Sequence, residues 1–229
     1  MPSRPRVLSP RWIGASSIQK GGYFVVASIE LGNTTTKCIL TATNLETAEI
    51  FQLSKEVVMT REVRKPKSGE SVFGKTLIGV QLTRESVAEL VERTLKAAIE
   101  NASLSIESDL HFVVRSTGVT AGFAKPEETD VLIKALADGC LKAGVAPRKM
   151  TAAISIDALP PGLQEYSWLK RVYFDGAVAS SLPPANTTVV ANEMEGELVT
   201  AGLKGAAKST DIDFRNPVMT LDFGTTLAG

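Results

Sequence analysis

Residues 29–37 read IELGNTTTK, from Ile29 to Lys37, and this stretch decides the fold. An apolar run, Tyr23–Leu31 (YFVVASIEL), leads into it and a second one, residues 36–43 (TKCILTAT), leads out. Gly32 and Asn33 therefore sit in a tight strand–turn–strand connection. Glycine tolerates backbone angles closed to other residues. The turn amides and the hydroxyls of Thr34, Thr35 and Thr36 then offer a concave row of donors, which a polyphosphate tail requires. Lys37 adds a positive charge, and Glu30 at the strand end is placed to hold Mg²⁺ through water. Taken alone, the same residues also describe a Thr-rich hairpin with a solvated lysine.

Working outward, residues 44–47 make a turn and residues 48–59 (AEIFQLSKEVVM) continue with β-type alternation, so 23–59 is expected to be a three-stranded antiparallel meander. Residues 60–82 are charged, with Gly and Pro, and predict a loop carrying a short hairpin. Arg61, Arg64, Lys65 and Lys67 within it form a run expected to be solvated. Thr83 is a helix N-cap, with Val87, Leu90, Val91, Leu95, Ala98 and Ile99 on one face of a helix ending near Asn101. Residues 110–115 (LHFVVR) predict a fourth strand, followed by Ser116-Thr117-Gly118. Pro126-Glu127-Glu128 opens a second helix that runs to Lys142 and stops at Gly144. Beyond Pro147 the signal weakens, with strands expected at 172–178 and 187–191, a helix at 193–208 and a last strand at 218–222. Tyr166 and Trp168 are expected to pack the turn around them.

Residues 218–229 (VMTLDFGTTLAG) repeat the plan of the first turn: an apolar strand, an acid at its end, then glycine and two threonines. Asp222, Gly224, Thr225 and Thr226 thus echo Glu30, Gly32, Thr34 and Thr35. Two such hairpins facing across a cleft would clamp a nucleotide's phosphates, with Glu30 and Asp222 sharing the metal.

On these residues the first segment resembles the phosphate-1 loop of the actin-like ATPase superfamily, and the GNTTTK form is similar to that of activators of 2-hydroxyacyl-CoA dehydratases. The second resembles the phosphate-2 loop. Residues 192–197 (NEMEGE) resemble the connecting helix of heat-shock chaperones, which implies that Glu193 faces the γ-phosphate and is catalytic together with Asp222. Ser116-Thr117-Gly118 is similar to a turn of the dehydratase activators, with Val119 in place of an aromatic residue. Over 23–229 the chain is closer still to the archaeal family called methanogenesis marker protein 14, through GNTTTKCILTATN, LTRESVAELV, VVRSTGV, ALADGC, ANEMEGELVTAG and DFGTT. Glu30 stands where the superfamily carries aspartate, which lengthens the carboxylate arm.

The resemblance implies an α/β fold: a ribonuclease-H-like N-terminal lobe of the actin-like ATPase type, a mixed sheet with an antiparallel meander plus helices, and a second lobe missing except for its first strand. The expected organisation is a flexible basic leader at 1–22, the first lobe at 23–217 with its connecting helix, and the truncated second lobe at 218–229. The expected cofactors are ATP and Mg²⁺. Gly32, Asn33, Thr34, Thr35, Thr36, Lys37, Gly224, Thr225 and Thr226 would bind the nucleotide, and Glu30 and Asp222 the metal. The implied function is an ATP-driven activator or chaperone of a metalloenzyme, with the missing C-terminal lobe and a protein of methanogenesis or corrinoid metabolism as partners. The fragment by itself is expected to be inactive, and the apolar edge of its last strand invites a homodimer. A small-molecule kinase, with Asp175 as base, and a nucleotide sensor without turnover are the alternatives.

Composition narrows the rest. Apolar residues make up 44% and charged residues 22%, the balance of an ordinary globular protein. Lys plus Arg equals Asp plus Glu at 25 each, so no global field points to nucleic acid or a membrane surface. No apolar run reaches the length of a membrane span, and the leader lacks the apolar core of a signal peptide, so a cytoplasmic protein is expected. Cys38 and Cys140 are expected to be reduced core thiols, and His111, the single histidine, a structural one in an apolar strand.

Overall fold

A computed structural model of the chain describes residues 12–47, 49–76, 78–117, 126–150, 153–155 and 171–173. A one-turn helix, α1 (Ala15–Ile18), precedes β1 (Tyr23–Leu31), β2 (Thr35–Asn44) and β3 (Ile50–Met59). A short 3₁₀ turn, Thr60–Glu62, opens the excursion that holds β4 (Val72–Lys75) and β5 (Gln81–Thr83). Then come α2 (Arg84–Asn101), β6 (Phe112–Thr117) and α3 (Pro126–Lys142), and finally a two-stranded ladder of β7 (Ala153–Ser155) and β8 (Arg171–Tyr173).

The main sheet has the order β3-β2-β1-β6. Its first three strands form the expected antiparallel meander, and β6 lies parallel to β1 on the other side. A parallel neighbour requires a crossover, and α2 supplies it. The protein is therefore mixed α/β, with a mixed sheet and helices. The fourth strand begins later than the apolar pattern suggests. The regular ladder starts at Phe112, and His111 just before it gives its N–H to the carbonyl of Val25.

Alternation in β1 buries Val25, Ala27, Ile29 and Leu31 on one face, and β2 adds Cys38, Leu40 and Ala42. α2 lays Val87, Leu90, Val91, Leu95, Ala98 and Ile99 in the same core, the six positions that helical spacing picks out. Each fully buried Val, Leu or Ile side chain here is worth about 1.5–3 kcal/mol. Thr83 caps the helix by accepting from the Ser86 N–H at 3.1 Å, while its own N–H donates to Ser86 Oγ. α3 ends where Gly144 takes φ of +100°, which other residues avoid. It approaches α2 so closely that a Cβ on Gly139 would lie 2.5 Å from Val91 Cβ and 2.7 Å from the Ala88 carbonyl.

The flexible-leader expectation is corrected for residues 12–22. Ile18 is buried, Ile13 packs against the core, and Trp12 makes an isolated parallel bridge to Gln52 of β3. Cys38 and Cys140 are free and buried, and burial pushes both thiols up to about 12. Among the described residues no helix is long and apolar enough to cross a membrane.

Candidate functional site

The register of β1 and β2 sets Glu30 opposite Lys37 and Leu31 opposite Thr36. Lys37 Nζ donates to Glu30 Oε2 at 3.1 Å, with each side chain 37% exposed. The parallel register of β6 places Ser116 and Thr117 beside Glu30 and Leu31. The carboxyl ends of β1 and β6 thus meet next to the 32–34 turn, the end of a sheet where open α/β proteins take their ligands.

Gly32 is required there, though for a different reason than backbone angle, since its φ is not positive. Its N–H donates to the Thr35 carbonyl at 3.0 Å, and a Cβ would sit 2.9 Å from that oxygen. The row of threonines is split. Thr34 is exposed, and Thr35 is half-buried on the face that carries Lys37. Thr36 is fully buried on the opposite face, and its hydroxyl lies 3.0 Å from that of Thr60, so its side chain does not join the donor row. Asn33 is also buried, at 6% exposure.

Thr60 is the residue that sequence reasoning missed. Its hydroxyl donates to the Gly32 carbonyl at 2.7 Å, and its N–H donates to the Thr34 carbonyl at 2.9 Å. A hydroxyl has one proton, and this one is committed to Gly32, so Thr36 is the donor in the Thr36–Thr60 contact. The only signal was a small polar residue closing an apolar strand.

Within the basic run 61–67, Arg61, Lys65 and Lys67 are exposed as expected, but Arg64 is tightly held. Arg64 binds Glu70 through both terminal nitrogens at 2.7 and 2.6 Å, and reaches Glu89 of α2 at 2.6 and 2.9 Å. The Arg64 guanidinium, helped by the Lys67 N–H and the Thr83 hydroxyl, lowers the Glu70 carboxyl to about 2. Beside it lies a cleft of about 200 Å³ whose charged walls, Glu62, Arg64, Glu89 and Arg93, are already paired among themselves or with Glu70. His111 Nδ1 accepts the Val25 N–H at 3.0 Å, a structural role as expected.

Among the described residues no group of three or more His, Cys, Asp or Glu side chains gathers to hold a metal ion. The expected sites at Glu193, Asp222, Gly224, Thr225 and Thr226 lie outside the described residues, as do the helix at 193–208, the strand at 218–222, Asp175, Tyr166 and Trp168. The expected meeting of Glu30 with Asp222 falls there too.

The chain belongs to the archaeal family described as "Uncharacterized protein conserved in archaea (DUF2114)", whose profile matches residues 23–229. It is 59% identical over 212 residues to "Uncharacterized protein MJ1451" of Methanocaldococcus jannaschii, covering 93% of this chain and 44% of that protein. It is 60% identical over 213 residues to an "Uncharacterized protein" of Methanothermobacter thermautotrophicus, covering 93% of this chain and 40% of the relative. The chain thus spans less than half the length of both. The resemblance to methanogenesis marker protein 14 and the actin-like ATPases is corrected by this match. The matching family is DUF2114, and neither its description nor the relatives' names carries such an assignment. The phosphate-loop motifs and the six scattered segments that suggested that kinship do not establish it.

Proposed function

We propose that this chain is the phosphate-binding half of an ATP-dependent protein, with a ribonuclease-H-like sheet and Mg-ATP as ligand. The observation that carries this is the Glu30–Lys37 pair at the open end of the sheet, facing each other beside the 32–34 turn. An ammonium, turn amides and the Thr34 hydroxyl suit phosphate oxygens. A single carboxylate suits Mg²⁺, which keeps several waters and takes most of its other ligands from the phosphates. The ion would neutralise phosphate charge. Lys37 would orient the tail, and Glu30 would hold a metal-bound water. The β3-β2-β1-β6 order with α2 as crossover supports the ribonuclease-H-like reading.

The opposing wall of the cleft would come from the echo at Asp222, Gly224, Thr225 and Thr226 and from the part of the longer family proteins that this chain does not cover. Closure of the two halves on ATP would then drive a conformational step in a partner protein. Titration of the isotope-labelled chain with Mg-ATP tests the site. Amide shifts confined to residues 30–37, 115–117 and 222–226 are expected. No shift at 30–37 with nucleotide raised to about ten times the ~1 mM Kd expected of this chain would refute it.

A further inference from the structure

One residue holds the 32–34 turn from beneath. Thr60 donates its hydroxyl to the Gly32 carbonyl and its N–H to the Thr34 carbonyl, and its oxygen accepts from the buried Thr36 hydroxyl. In a planar trans peptide the carbonyl and the following N–H point in opposite directions. Drawing the Gly32 and Thr34 carbonyls onto Thr60 therefore fixes both peptide planes, and with them the directions of the Asn33 and Thr35 N–H groups. Thr60 is fully buried, so water does not compete for these bonds. It also opens the segment that Arg64, four positions on, ties to α2 through Glu70 and Glu89.

We infer that Thr60 is a positioning residue for the phosphate-binding turn, registering it against α2; this rests on the function proposed above. The threonine hydroxyl acts through the backbone and touches no ligand itself. Its isostere Thr60→Val keeps the shape and removes the bond to Gly32, while Thr60→Ser keeps the bond. Amide exchange and titration with magnesium pyrophosphate, both followed by NMR on the whole chain, separate the two ideas. In Thr60→Val, protection at Gly32 should fall about tenfold and pyrophosphate should bind about tenfold more weakly. Ala27 and Leu40 in the core should stay protected, and Thr60→Ser should behave like wild type. Wild-type exchange and binding in Thr60→Val would overturn the proposal. Should the core of Thr60→Val open as well, Thr60→Ser decides, because loss of turn protection there would overturn a role for the hydroxyl. If pyrophosphate moves no turn amide even in wild type while Thr60→Val loosens Gly32, the phosphate reading falls and the hold of Thr60 on the turn stands.

Discussion

At His111 a backbone donor dictates a protonation state. Nδ1 accepts the Val25 N–H, so that nitrogen carries no proton, and the ring lies 5.3 Å from that of Phe24. Burial first and then Lys149 push its pKa below the ordinary 6.5, against a smaller opposing pull from Asp109. A histidine depressed in the folded state leaves the unfolded chain to take up the proton first. Stability is therefore intact above about pH 6.5 and falls as pH drops below it. Urea unfolding at pH 7 and pH 5 should show a lower midpoint at pH 5, with a smaller difference in His111→Gln, whose amide oxygen can still receive the Val25 N–H. An equal drop in both proteins would remove His111 as the cause. A lone histidine in an apolar strand was legible as structural because few other roles fit it. Thr60 was not legible, because nothing in a sequence pairs a hydroxyl with a carbonyl 28 positions away. Gly32 was read as needing a special backbone angle, yet the physical demand on it is contact with the Thr35 carbonyl oxygen.

Among the elements, α2 was readable from its cap to its last turn, since capping chemistry and apolar spacing are both local. Its partner surface was not. A mid-helix glycine normally costs about 1 kcal/mol relative to alanine, so Gly139 in α3 invites replacement on propensity alone. The 2.7 Å approach of its missing Cβ to the Ala88 carbonyl decides otherwise, because backbone cannot swing aside as a side chain can. Gly139→Ala should destabilise the protein by about 1–3 kcal/mol, the usual penalty of overpacking. A raised thermal midpoint would refute this close packing. The segment between β3 and β4 was read as solvated because of its basic run, although one acid that fixes Arg64, Glu70, lies within it; the other, Glu89, comes later in α2. With the Glu70 carboxyl lowered to about 2, the bond to Arg64 contributes stability above the ordinary value of 4.5 and loses it as pH falls toward 2. Arg64→Ala should therefore flatten the stability profile between pH 4.5 and 2, a change that acid titration of unfolding would detect.

For the molecule as a whole, the meander, the helix and a fourth strand followed from alternation and periodicity, whereas the parallel pairing of that strand with β1 did not, and the family suggested by scattered segments was overturned. The described half of the site offers a lysine, a few amides and one exposed hydroxyl to an anion, in competition with water and salt. Calorimetry of residues 1–229 with Mg-ATP should give a Kd of ~1 mM or weaker and no turnover, and micromolar binding would mean that the site is built another way. The parallel pairing of β1 with β6 also has a consequence in time. Val25 and His111, which close it, are 86 positions apart, while β1, β2 and β3 are consecutive. As the chain leaves the ribosome, one side of β1 finds its partner early and the other must wait until residues 112–117 are made. At about 5–20 residues per second, that delay after β3 lasts roughly 3–12 seconds. During it the nascent chain displays an unpaired row of β1 amides and carbonyls to its neighbours. Slowing translation between codons 60 and 117 should lower the soluble yield, whereas the same pause before codon 23 should not.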